Sequence, residues 1–120
     1  MDATPAANNL PLKIADFTTL AEALDYAALG ETGYNFYNGS ATLYESLPYQ
    51  KLREESLALA RRLKGLGVSR GARVALVADT QPDFMRFFFA CQYAGLVPVP
   101  IPASIHLGGK DAYVSQLKRL

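Results

Sequence analysis

The stretch GLGVSRG, Gly65 to Gly71, carries the glycine spacing nearest to a phosphate-binding turn. A dinucleotide fingerprint places glycines so that the backbone can approach a pyrophosphate at the start of a helix. Here the last gap is one residue too long, and the segment leaves a helical pattern to enter a strand-like one. Gly108-Gly109-Lys110 stands at a helix start but lacks the first glycine and the Ser/Thr of a phosphate loop, so a plain loop is the favoured reading. His106 is the one histidine, and with no Cys-and-His cluster or His pair a zinc site is disfavoured. Ser40, Ser46, Ser56, Ser69, Ser104 and Ser115 lack the turn of a nucleophile elbow, and the nearest carboxylate pair, Glu54 and Glu55, falls on a charged helix face. Cys91, among Phe88, Phe89 and Tyr93, reads as a buried structural thiol. These residues yield no catalytic, cofactor-binding or metal-ligating assignment.

The chain has 120 residues, enough for one core. Half of it is hydrophobic, 19% is charged with both signs mixed, and the net charge is +1, which argues against a disordered tail or a nucleic-acid surface. A single cysteine excludes a disulfide framework and suits a reducing compartment. MDATPAANNLPLKIADF has neither a basic start followed by an apolar run nor a myristoylation signal, so the expectation is a cytoplasmic protein with residues 1–16 as a flexible tail. Phe84 to Ile105 is long and apolar enough to raise the question of a membrane span, but Arg86, Gln92 and three prolines interrupt it, and a transmembrane helix is rejected.

The elements follow from periodicity. LAEALDYAAL repeats apolar residues at three and four, with Thr18 or Thr19 to cap the helix and Gly30 to stop it. YNFYNGSATLYE places aromatic and β-branched runs on either side of Asn38-Gly39, the signature of a tight hairpin. Asn38-Gly39-Ser40 also spells a glycosylation acceptor, but the turn is the favoured reading. A long helix follows, with Pro48 in its first turn, a stripe of Tyr49, Leu52, Ser56, Leu59, Ala60, Leu63 and Leu66, and Gly67 just past its end. Arg61, Arg62 and Lys64 match the helix dipole on a solvated face.

RVALVA is a strand, and helix 81–94 after it has Thr80 and Asp83 spaced like a capping box and Gly95 as its stop. That helix is apolar almost all round, so more than one layer should cover it. In VPVPIP the prolines recur every second residue, stripping N–H donors from one edge only, so the segment pairs on the other. The result is a parallel βαβ unit whose crossover should be right-handed. KDAYVSQLKRL opens another helix, and the chain is expected to be cut within it.

Read in order, LPYQKLREESLALARRLKGLGVSRGARVALVADTQPDFMRFFFACQYAGLVPVPIP resembles the opening of the adenylate-forming acyl-activating enzymes, the AMP-dependent synthetase superfamily. The shared blocks are a Leu/Ala helix ending in Gly-Val, then Gly-x-Arg-Val-Ala, x-Pro-(Asp/Glu)-Phe and Ala-Gly-x-Val-Pro-Val. EALDYAALGETGYNFYNGS and HLGGKDAYVSQLKRL look most like the fatty-acyl-AMP ligase branch. Ala72 departs from the family's frequent Asp, and Gln81 from its common small cap. The family's phosphate loop, adenine and ribose contacts and catalytic lysine come later than Leu120, so no catalytic or nucleotide-binding residue is carried over.

The resemblance implies an α/β fold, a partial N-terminal domain in which residues 17–120 open the AMP-binding domain. It implies a parent fatty-acyl-AMP ligase or acyl-CoA ligase that uses ATP and magnesium to make acyl-AMP, then passes the acyl group to a carrier-protein or coenzyme A thiol. This chain would be an inactive scaffold that binds no cofactor alone and self-associates through the Phe84 to Tyr93 helix. The other reading is a stand-alone, non-catalytic α/β binding or interaction module.

Overall fold

A computed structural model describes residues 10–14, 16–102 and 110–119. The elements run α1 (Leu20–Ala27), β1 (Gly33–Tyr37), β2 (Leu43–Pro48), α2 (Tyr49–Gly65), β3 (Arg73–Ala78), α3 (Pro82–Ala94), β4 (Val97–Pro102) and α4 (Lys110–Lys118). Thr19 caps α1, its Oγ1 accepting from the Glu22 N–H at 3.1 Å. Glu22 Oε2 in turn accepts from the Thr18 N–H, so two otherwise orphaned donors are satisfied. Residues 1–9 and 15 of the anticipated tail lie outside the described residues. The segment before α1 lies against that helix, where Tyr26 donates its hydroxyl to Pro11 O and Lys13 Nζ sits 4.8 Å from the Tyr26 ring centre.

β1 and β2 pair antiparallel, but the tight Asn38-Gly39 turn is not formed. The connection is the longer loop 38–42, in which Asn38 Oδ1 accepts from both Ser40 N and Thr42 N, and the positive φ falls on Ala41 at 60°. An Asn side chain that mimics a backbone turn suits this wider loop, and the register shift at Phe36/Tyr37 takes up the irregularity.

Pro48 caps α2 from outside rather than standing in its first turn, because it is still the last residue of β2. Leu52, Ser56 and Ala60 are buried along one face. Leu66 departs from the expected stripe at 77% exposed: the helix ends at Gly65, and Gly67, at φ 81°, turns the chain away. Ser56, Ala60, Ala90, Cys91 and Ala94 are all buried, and small side chains of this kind let α2 and α3 approach closely. Ser56 Oγ donates to Arg86 O at 3.2 Å, so its polar atom is satisfied.

β3 and β4 are parallel, in a register that pairs Arg73 with Val97 and Val77 with Ile101. The Thr80/Asp83 capping box is not formed. Pro82 occupies the first turn, Gln81 becomes the N-cap without a side-chain bond, and the Thr80 N–H donates to Asp79 Oδ1. Gly95 ends α3 in the left-handed conformation, φ 74°. Along α3 only Asp83 and Phe87 are exposed, Phe87 at 37%, as a helix apolar on all sides requires. Its residues join two core clusters: Phe89 with Leu24, Phe36, Leu47 and Leu52, and Cys91 and Ala94 with Ala60 and Leu96. The last helix has Asp111 in its first turn. Among the described residues no helix is long and apolar enough to cross a membrane.

Candidate functional site

The strongest polar arrangement centres on Arg86, the one cation of α3. Its Nη2 donates to Glu45 Oε2 at 2.6 Å, its Nε to Glu55 Oε1 at 2.7 Å and its Nη1 to Asp83 Oδ1 at 3.0 Å. Burial alone would lower the guanidinium pKa, but the carboxylates outweigh it and hold the group firmly protonated. The planar fork thus ties β2, α2 and α3 at one point. These carboxylates are already neutralising a cation, so the cluster is a clamp and not a set of free acids.

A second network joins α1, α2 and α3. Tyr93 donates its hydroxyl to Asp25 Oδ1 at 2.6 Å, and Arg53 Nε donates to the same oxygen at 2.7 Å. Burial pushes the Asp25 carboxyl up, but the Tyr93 and Arg53 hydrogen bonds win and leave it below its ordinary value. Tyr93 is pushed well up, first by burial and then by the carboxylate it serves. A groove of about 550 Å³ runs beside the pair, lined by Asp25, Ala28, Leu29, Gln50, Arg53 and Glu54.

Replacing Tyr93 with phenylalanine is expected to cost about 1 to 2 kcal/mol, the size of a charge-assisted hydrogen bond lost at a half-buried site. The Asp25 carboxyl should then titrate higher. A depressed carboxyl contributes stability that is present above its unfolded value and lost as pH falls through its folded one, so Tyr93→Phe should narrow that acid-labile window. Carboxyl titration by NMR and urea melts across acid pH check both statements; an unchanged Asp25 titration would contradict them.

The third feature is a cleft of about 300 Å³ where β3 ends and α3 begins, lined by Phe36, Ala78, Asp79, Thr80, Gln81, Phe84 and Met85. Ligands of open α/β sheets favour the carboxyl ends of strands. This one is poor in donors, however: Pro82 has no N–H, and the Phe84 N–H is bonded to Gln81 O. Its lining of Phe36, Phe84, Met85 and Ala78 suits apolar contact better than a phosphate. Among the described residues no three His, Cys, Asp or Glu side chains converge as metal ligands.

The residues considered from sequence are scattered. Gly65 to Gly71 leaves α2 and enters β3, with Gly67 and Gly71 at positive φ as turning points and the Gly71 N–H bonded to Gly95 O. His106, Ser104, Gly108 and Gly109 lie outside the described residues. Cys91 is fully buried, and burial pushes its thiol up. Glu54 remains on the water-facing side, but Glu55, placed there with it from sequence, turns to Arg86. Both networks escaped the sequence reading. The one usable signal was Arg86 itself, a single cation in a phenylalanine-rich helix, three residues after Asp83.

Residues 24–109 match the family described as AMP-binding enzyme. A Caulobacter vibrioides protein that carries the provisional name acyl-CoA synthetase is 52% identical over 117 residues, 98% of this chain and 20% of its own length. A medium-chain-fatty-acid–[acyl-carrier-protein] ligase of Moorena producens is 31% identical over 72% of this chain and 15% of its own. Among solved structures, a chain from work on fatty acyl-adenylate ligases of E. coli and L. pneumophila superimposes with a TM-score of 0.85 at 46% identity, covering 91% of this chain and 20% of that one. The L. pneumophila fatty acyl-adenylate ligase in complex with acyl adenylate and pyrophosphate gives 0.67 at 27% identity, over 74% of this chain and 16% of that one. The chain therefore spans about a fifth of the length of the proteins it matches.

Proposed function

Since the chain belongs to the AMP-binding enzyme family, as a fragment of its fatty acyl-AMP ligase and acyl-CoA synthetase branch, we propose that it is the N-terminal scaffold of a fatty-acid-activating enzyme and is inactive alone. Residues 17–120 open the adenylation domain and residues 1–16 form its leading tail. The whole enzyme joins a fatty carboxylate to the AMP portion of ATP, releasing pyrophosphate, and passes the acyl group to a carrier-protein or coenzyme A thiol. ATP and magnesium are bound by groups outside the described residues. The reading is carried by one observation, a 46%-identical superposition that includes nearly all of this chain but only a fifth of an acyl-adenylate ligase. A cytoplasmic setting suits the lone cysteine, buried and unpaired.

In this role the chain supplies shape. The Arg86 clamp and the Tyr93–Asp25–Arg53 network fix the hairpin and α1 to the α2–α3 pair, giving a rigid body on which later segments assemble. Taken out of that assembly the chain self-associates, and Phe87 is the side chain that α3 contributes.

The test is ATP–pyrophosphate exchange with fatty acids of graded length. The chain alone should give none. A chimera in which it replaces the matching fifth of the Caulobacter relative should keep exchange within about tenfold of that parent, since the segment supplies no reacting group. Exchange by the isolated chain would overturn the claim of inactivity. A chimera that folds but stays inactive, beside an active parent, would overturn the scaffold role.

A further inference from the structure

The Asn38-Gly39 pair, which the scaffold role does not use, brings its own reacting groups together. The Asn38 side-chain amide is folded back over the loop, its Oδ1 accepting from Ser40 N at 2.9 Å and from Thr42 N at 3.0 Å. The ring closed by the first of these bonds runs through both Asn38 Cγ and Gly39 N, so the amide carbon is held beside the next residue's nitrogen. That nitrogen is unengaged: among the described residues no hydrogen bond uses the Gly39 N–H. It is also unshielded, because even a Cβ built on Gly39 would meet nothing within 4 Å.

The frame around these groups is fixed. Asn38 N donates to Thr42 O at 3.0 Å and Ala41 N to Asn38 O at 2.9 Å, which locks the loop in one conformation between β1 and β2. Every group involved lies within residues 38–42, so the arrangement does not depend on what packs elsewhere on the chain. Two N–H donors on Oδ1 draw electron density from Cγ. They also stand where negative charge gathers when a nucleophile adds to that carbon, as the donors of an oxyanion hole do.

We propose that Asn38 is a site of self-catalysed deamidation, in which Gly39 N attacks Asn38 Cγ while the Ser40 and Thr42 N–H groups stabilise the oxyanion on Oδ1. Gly39 N gives its proton to water or hydroxide as the N–Cγ bond forms. Nδ2 takes up a proton and leaves as ammonia, and a succinimide ring remains. Water then opens the ring and is the only co-reactant. Cleavage of the new bond leaves aspartate at position 38, whereas cleavage of the original peptide bond leaves isoaspartate, with the main chain routed through the side chain. The two products differ in what they can hold. An aspartate carboxylate still accepts from Ser40 N and Thr42 N, but isoaspartate lengthens the main chain by a methylene and gives up its side-chain carbonyl to the backbone, so the loop cannot keep its bonds. The isoaspartyl form therefore loosens β2, the strand that carries Glu45 to the Arg86 clamp.

The test is incubation of the whole chain at mildly alkaline pH, with peptide mass spectrometry to read the conversion of Asn38 and an isoaspartyl methyltransferase with labelled methyl donor to count isoaspartate. The folded chain should react faster than the same chain in urea, by about fivefold, because the two donors on Oδ1 act only in the folded loop. Asn35, in β1 and followed by Phe36, is the internal reference and should stay intact. Gly39→Ala should slow the folded chain at least about tenfold, since a methyl group crowds the attacking nitrogen, and circular dichroism confirms that the variant is folded. The isoaspartyl product, separated by ion exchange, should unfold at a lower urea concentration than the aspartyl one. A folded rate no higher than that in urea, a Gly39→Ala variant that reacts as fast as the parent, conversion of Asn35 alongside Asn38, or two products with equal urea midpoints would each overturn the proposal.

Discussion

Exchanging Arg86 for methionine is expected to destabilise the chain by about 2 to 4 kcal/mol, the cost of removing one partner from a mostly buried ionic cluster. The Arg86 side chain is only 17% exposed and serves three carboxylates on three elements. Removing it leaves Glu45 and Glu55 near one another with nothing between them. The figure stays below that for a fully buried pair because Glu55 and Asp83 can turn to water. Arg86→Lys should recover less than half of the loss: an ammonium is a point charge, and it cannot offer three directed donors to oxygens held by a strand and two helices. Urea unfolding followed by circular dichroism measures both. A methionine variant within about 0.5 kcal/mol of wild type would show the cluster to be surface decoration.

The same residue shows where sequence reasoning stops. Helices and strands are local, so the periodicities of α1, α2 and β3 and the alternating prolines of β4 were legible, and the parallel pairing of β3 with β4 followed from the helix between them. Arg86 was legible only as a gap in an apolar pattern. Its partner Glu55 is 31 residues earlier and Glu45 is 41, and no periodicity links a strand position to two helix positions at those separations. Asp25 and Tyr93, 68 residues apart, are the same case.

Local misreadings have local causes. Asn38-Gly39 has the composition of a tight turn, but the Asn38 side chain satisfies two backbone donors in a wider loop, and the positive φ moves to Ala41. Thr80 has the spacing of a cap, but Pro82 fixes the helix start one residue later.

Gly33→Ala should cost about 2 to 3 kcal/mol, although the substitution adds one methyl group at an exposed strand position. Gly33 stands opposite Pro48 in the hairpin, and a Cβ there would lie 2.3 Å from Leu47 O and 2.5 Å from Pro48 Cα. Both obstacles are backbone atoms, which cannot rotate aside as a flexible side chain would. Nor can the opposing strand retreat: Leu47 is fully buried in the core with Leu24, Phe36, Leu52 and Phe89, and Pro48 leads directly into α2. The alanine variant must therefore open the end of the hairpin or shift α2. Gly39→Ala is the control, because its Cβ would meet nothing within 4 Å and its φ is not positive; it should change stability by less than about 0.5 kcal/mol. Paired urea midpoints for the two variants decide the matter. Equal midpoints would mean that the hairpin end yields easily, and that the joint between β2 and α2 is not the rigid corner its geometry describes.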